Sequence, residues 1–139
     1  MEQSSTSVVP SFGYELIRDH VLSSILGKHE DDILYWAGKE LARKFPLFSM
    51  SEASMFFNEA GWGELTLDKE SKDEALYTLH LDSGSLKIED RCFRLEAGFL
   101  AEQQQRNIGY LCECFEEKNV KQNSVVFKLK WDLKEPVEK

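Results

Sequence analysis

The chain has 139 residues, 42% hydrophobic and 30% charged, with 17 Lys and Arg against 25 Asp and Glu for a net charge of −8. That size fits one domain with a sizeable core, and the acidic balance argues against a general binder of nucleic acid or anionic membrane, which needs a positive surface. No apolar run reaches the length of a membrane span, and residues 1–11 lack the cationic start and apolar stretch of a secretory signal, so the expected location is the cytoplasm.

Residues 1–11 are rich in Ser and Thr and read as a disordered arm; residues 12–137 read as a single domain. The first helix is expected from about Gly13 to Leu26, where Tyr14, Ile17, Val21 and Ile25 recur at helical spacing and Gly27 follows as its end. Asp31 and Asp32 stand where an N-cap is expected. The second helix runs to about Phe45 on a stripe of Ile33, Leu34, Ala37, Leu41 and Phe45, and Pro46 stops it. Ser49-Met50-Ser51-Glu52 has capping-box spacing and announces a short third helix carrying Ala53, Met55, Phe56 and Phe57.

The period then changes. Leu65 and Leu67 alternate with polar residues, the stretch from Asp68 to Asp73 reads as a hairpin loop, and Tyr77, Leu79 and Leu81 alternate in a return strand. Asp82-Ser83-Gly84 reads as a turn, with Leu86 and Ile88 in a short strand. A long helix is expected from about Arg91 to Arg106, with Phe93, Ala97, Leu100 and Ala101 on one side. Tyr110, Cys112 and Cys114 alternate after it, and Val125, Phe127, Leu129, Trp131 and Leu133 form the last strand. This order, three helices, a hairpin, a long helix and a second hairpin, predicts an α+β fold. Helices would pack on a twisted, mostly antiparallel sheet of four to five strands.

Two helical segments share one device. Tyr35-Trp36-Ala37-Gly38 and Leu95-Glu96-Ala97-Gly98 each place Ala-Gly inside an apolar pattern, with Ala42 and Ala101 one turn on. A mid-helix Gly costs about 1 kcal/mol against Ala, and close approach of another backbone is the simplest reason to keep one.

Signals for chemistry are sparse. Three cysteines in a reducing compartment do not make a disulfide framework. Cys92 at a helix start and Cys112 and Cys114 on one strand face offer thiols, but structural zinc wants four ligands and His20, His29 and His80 have no ligand spacing to them. Small buried hydrophobes are the commoner fate of free Cys. His29-Glu30-Asp31-Asp32 resembles a ligand cluster and is better explained as the acidic start of a helix. Lys39, Arg43 and Lys44 surround Glu40 as a solvated face with local pairing. Glu96 lies in an apolar helix interior and, if buried, needs a partner, for which Arg18 and Arg43 are the candidates. There is no phosphate loop, nucleophile elbow or catalytic carboxylate pair.

The segments Gly13-Tyr14-Glu15-Leu16-Ile17-Arg18, Tyr35 to Pro46, Phe57 to Gly63, Phe93 to Gln103 and Lys130-Trp131-Asp132 resemble the YslB family, a bacterial family of unknown function. More distantly the pattern is similar to four-vinyl-reductase-like domains, Bet-type subunits of the TRAPP vesicle-tethering complex and haem nitric-oxide-binding domains. That resemblance implies helices over an antiparallel sheet, with Gly98-Phe99 as the shared pair of the long helix, and binding of small hydrophobic molecules or dimerisation through helices. Metal-binding relatives carry Cys before the long helix and in both following strands. Cys92 and Cys114 match two of those positions, but Val125 stands at the third. No Cys precedes Cys92 to carry an acyl chain, and no His matches a haem ligand.

The leading expectation is a non-enzymatic cytoplasmic binding or scaffold domain, a homodimer through its helices, with no cofactor, no catalytic residues and no metal beyond the weak candidates Cys92 and Cys114. The second is a small hydrophobic ligand sensor, with a pocket between helices and sheet near Trp36, Phe56, Trp62 and Phe99. The third is an enzyme using Cys92. Sharper than these is the expectation that the Gly38 and Gly98 helices cross at their Ala-Gly faces.

Overall fold

The computed structural model describes residues 11–81 and 88–137. Residues 1–10, the turn at 82–84 and Leu86 lie outside that range. Helix α1 runs over 11–26 as α-helical Ser11–Glu15, π-helical Leu16–Val21 and α-helical Leu22–Leu26. Gly27 ends it at φ 56°, a conformation that favours glycine, and a 3₁₀ turn, Gly27–His29, leads on. Helix α2 is Glu30–Lys44, and α3 is Ala53–Glu59, entered through a 3₁₀ turn at Met50–Glu52. Strands β1 (Glu64–Glu70) and β2 (Glu74–His80) form the first hairpin. Helix α4, Arg94–Ile108, precedes the second hairpin of β3 (Tyr110–Asn119) and β4 (Ser124–Pro136).

All strand pairings are antiparallel, in the spatial order β1-β2-β4-β3. The alternation read from the sequence sets the faces. Ala75, Tyr77, Leu79, Cys112, Cys114, Val125, Phe127, Leu129 and Trp131 are buried under the helices. The other face is a polar ladder in which Glu74 sits between Lys128 and Lys130, with the half-buried Val126 among its few apolar side chains. Helix α4 is the centre of the domain. Every residue from Glu96 to Gln104 is buried, so it is covered on all sides and not along one stripe.

Several sequence expectations need correction. The α2 helix begins one residue before Asp31, with His29 in the cap position and no side-chain cap; Glu30, Asp31 and Asp32 are first-turn acids facing the positive end of the helix dipole. The capping box does not close. Ser49 makes no cap bond, its hydroxyl meets Ser51, and Glu52 accepts instead from the Phe48 backbone N–H. Leu67 keeps its register opposite buried Tyr77 but is exposed on the edge strand; the register shifts only after it, between Leu67 and Lys69, and the loop of that hairpin shrinks to Ser71–Asp73. Ile88 is the buried start of a 3₁₀ turn, Ile88–Asp90, and not strand.

Candidate functional site

The Ala-Gly device is a backbone crossing. Helices α2 and α4 run in the same direction, as the pairs Asp31 with Cys92 and Arg43 with Glu102 show. A Cβ on Gly38 would lie inside the van der Waals shell of the Leu95 carbonyl oxygen and 2.8 Å from the Phe99 nitrogen; a Cβ on Gly98 would overlap the Tyr35 carbonyl oxygen. Each glycine makes room for the other helix's backbone, which is what the sequence expectation required. One turn on, buried Gln103 finishes the crossing. Its Nε2 donates to the Phe45 carbonyl at 2.9 Å, and its Oε1 accepts from the Leu47 N–H at 3.1 Å, satisfying groups that the end of α2 leaves unpaired.

Beneath the crossing lies an aromatic cluster. Phe99 stacks on Phe56 at 4.4 Å and meets Trp62 edge-on at 5.5 Å; Phe57 meets Trp62 at 4.9 Å. Three of the four residues expected around a pocket, Phe56, Trp62 and Phe99, are therefore together, and their rings fill the space against each other. Trp36 is not with them. It stands 61% exposed on the outer side of α2. A second exposed apolar group, Phe45, Phe48 and Met55, surrounds the α2–α3 connection.

Tyr35 reaches the edge of the sheet, a contact that sequence periodicity did not suggest. Its hydroxyl donates to Glu113 at 2.6 Å and accepts from the Cys114 N–H at 3.2 Å. Burial first, then Glu113, hold the phenol well above its usual range. The Arg94 guanidinium is 4.0 Å and the Lys39 ammonium 4.7 Å from the ring centroid. Arg94 also pairs with Glu116 and donates to the Cys114 carbonyl, while Gln105 accepts from the Cys112 N–H. These backbone groups of β3 point away from β4, so helix side chains occupy an edge that no strand among the described residues covers.

The attachment of α1 is of a different kind. Arg18 is buried and donates to Glu96 Oε1 at 2.6 Å, to the Cys92 carbonyl at 3.0 Å and to the Tyr14 hydroxyl at 2.6 Å. Arg91 holds Asp19 with two bonds, at 2.7 and 2.9 Å, and lies over the Tyr14 ring. Ser23 donates to Glu30. Of the two candidate partners for Glu96, Arg18 takes the role and Arg43 pairs with Glu102 and Glu40. Glu96 Oε2 has no hydrogen-bond partner among the described residues. So α1 turns its polar side to the domain, and Phe12, Leu16, Ile17, Val21 and Ile25 face away from it. Ile17, Val21 and Ile25, which the sequence places on one stripe, are exposed. The π turn makes the face longer. It adds a residue between Leu16 and Val21, so the spacing 12, 16, 21, 25 stays on one side.

The thiols are held protonated. Burial, then the hydrogen bond to Asp31, push Cys92 up to about 12 against the lowering effect of the Arg94 N–H; burial and Glu113 push Cys112 up to about 12; Cys114, wholly enclosed, is raised well above its ordinary value. Among the described residues, no three His, Cys, Asp or Glu side chains are grouped to hold a metal ion. His20, His29 and His80 are all exposed. No helix among the described residues is long and apolar enough to cross a membrane.

Residues 11–130 match the family described as "Protein of unknown function (DUF2507)". The chain is 45% identical over 130 residues to "Uncharacterized protein YslB" of Bacillus subtilis (strain 168), covering 91% of this chain and 88% of that one. Among solved structures, it is similar to a vinyl-4-reductase family protein of Methanocaldococcus jannaschii, with TM-score 0.62, 19% identity and coverage of 94% and 85%. It also resembles a trafficking protein particle complex subunit 3 of Naegleria fowleri covalently bound to palmitic acid, with TM-score 0.53, 12% identity and coverage of 93% and 92%. At these identities the likeness speaks for the fold alone. An H-NOX protein of K. algicida, at TM-score 0.39 and 12% identity over 83% of this chain and 59% of that one, adds nothing to it.

Proposed function

The chain belongs to the DUF2507 family, and on that footing we propose that it is a non-enzymatic cytoplasmic binding or scaffold domain that works as a homodimer through its helices. The observation that carries this is the orientation of α1, whose apolar side is not used by the domain. Phe12 is 67% and Ile25 73% exposed at its two ends, with Leu16, Ile17 and Val21 exposed between them. Monomers rarely leave a contiguous apolar face of several hundred Å² open, and such faces mark association sites. The state of Cys92 weighs against the reading of an enzyme that uses its thiol, because a thiol near 12 is not a nucleophile at neutral pH. Sedimentation at micromolar concentration is the direct test: a homodimer is expected, and a strict monomer would sink the reading.

A second reading, a small hydrophobic ligand sensor, is supported by the palmitate-bound structural relative and by the aromatic cluster under the α2–α4 crossing. A ligand would have to part Phe56, Trp62 and Phe99. Native mass spectrometry of protein purified from its own host, with no bound small molecule or lipid, would count against it.

A further inference from the structure

Four of the five exposed apolar residues of α1 have a spacing that reads the same in both directions, and Ile17 lies beside them. Phe12, Leu16, Val21 and Ile25 are separated by four, five and four residues, and the midpoint falls between Arg18 and Asp19, inside the π turn. Those two central residues are buried against the domain, where Arg18 meets Glu96 and Asp19 meets Arg91, so the middle of the helix is fixed while its outer ridge is open.

A face of this kind is self-complementary under a two-fold axis, the symmetry in which residue i meets residue j and j meets i. We infer that a second copy of this chain occupies it, with two α1 helices packed antiparallel about that midpoint. Leu16 then meets Val21 of the second copy, and Ile17 meets its His20. Phe12 and Ile25 lie at opposite ends of the seam, so Phe12 stays far from Phe12 of the second copy. The exposed fractions leave about 500 Å² of side chain on α1, taking roughly 150–200 Å² for each large apolar group. A specific interface needs about 600–1,000 Å² per partner, and the polar residues flanking the ridge, His20 and Ser24 among them, supply its rim. Without the π turn, Val21 and Ile25 would rotate by one residue's step away from Phe12 and Leu16, and the ridge would be broken in the middle.

This inference rests on the homodimer reading and is tested separately from it. The full chain is prepared as Leu16→Cys, as Val21→Cys and as Phe12→Cys, and oxidised with copper phenanthroline beside the unmodified chain, whose own thiols set the background. A mixture of L16C and V21C chains is expected to give a covalent dimer well above that background, and F12C alone is not. Covalent dimer from F12C alone, or none from the mixture while sedimentation still shows a dimer, overturns the antiparallel seam and leaves the homodimer reading standing. A monomer in sedimentation overturns both. A second measurement does not depend on disulfide geometry. Leu16→Glu and Val21→Lys chains are each expected to dissociate at least tenfold more readily, and mixing them to restore the dimer by pairing the new charges across the seam. Failure of the mixture to reassociate overturns the proposal.

Discussion

Two helices meet the rest of the domain in opposite ways. At the α2–α4 crossing, contact is backbone to backbone, made possible by Gly38 and Gly98, and the apolar side chains around it are spent on the core. At α1, contact is made by buried charges, Arg18 with Glu96 and Arg91 with Asp19, and by Tyr14, while Phe12, Leu16, Ile17, Val21 and Ile25 point outward. Burial of a charge needs a partner and good geometry, and is a poor source of stability compared with apolar packing of the same volume. A helix held this way is positioned rather than glued. The crossing holds the fold together, and α1 leaves its apolar ridge in the open.

The largest effect is expected where that contrast is sharpest. Gly98→Leu places a branched side chain against the Tyr35 backbone, which cannot give way, so the loss should exceed the usual 1–3 kcal/mol of overpacking and leave little folded protein in a denaturant titration. A loss below about 1 kcal/mol would mean the crossing is looser than described. Arg18→Met leaves Glu96 buried without its partner and should cost about 3–5 kcal/mol by the same measurement. Joined with Glu96→Leu, much of that loss should return, because an apolar pair replaces an ion pair at little net cost. If the double variant is no better than the single, α1 depends on the charges for more than docking. Phe12→Glu and Ile25→Glu should change the unfolding free energy of the monomer hardly at all, within about 0.5 kcal/mol, while abolishing association in sedimentation. Unfolding by either would show that α1 packs its apolar face after all.

The smallest expected signal is chemical. Cys92 should be labelled slowly by iodoacetamide at neutral pH, with the rate climbing as pH approaches about 12. The sign for stability follows. The folded protein holds this thiol protonated above its usual value near 9, so its contribution is full below about 9 and is lost as pH rises from there toward about 12. Rapid labelling at pH 7 would revive a reactive role for Cys92.

Much of this arrangement was legible in the sequence, for reasons tied to particular residues. A helix-interior glycine is costly, so Gly38 and Gly98 announced a close backbone contact, and an acid inside an apolar helix announced a buried partner, which Arg18 proved to be. Period-two alternation gave the last strand almost residue by residue. The direction of α1 was not legible, because a helical period says that one side is apolar and not which way that side points. The π turn hid from a 3.6-residue template for the same reason that it matters: it inserts a residue. Leu67 keeps the face that its alternation predicts, and it is exposed on the edge strand β1, a place in the sheet that no period marks. Tyr35 could not be read at all, since a phenol on a half-buried helix position carries no sign that it needs the polar partners on β3 that it finds.

The side chains on the β3 edge have a consequence for how this protein fails. An open strand edge is a template on which another chain can add, and natural sheets guard such edges against aggregation. Here Tyr35, Arg94 and Gln105 already hold the Cys112 and Cys114 backbone groups that an incoming strand would need. Fibrillar growth from that side must first displace α2 and the ends of α4. On the opposite edge, β1 carries Glu64, Asp68, Lys69 and Glu70 and a register shift that spoils its regular spacing. The fold thus closes one side of its sheet with side chains and the other with charge.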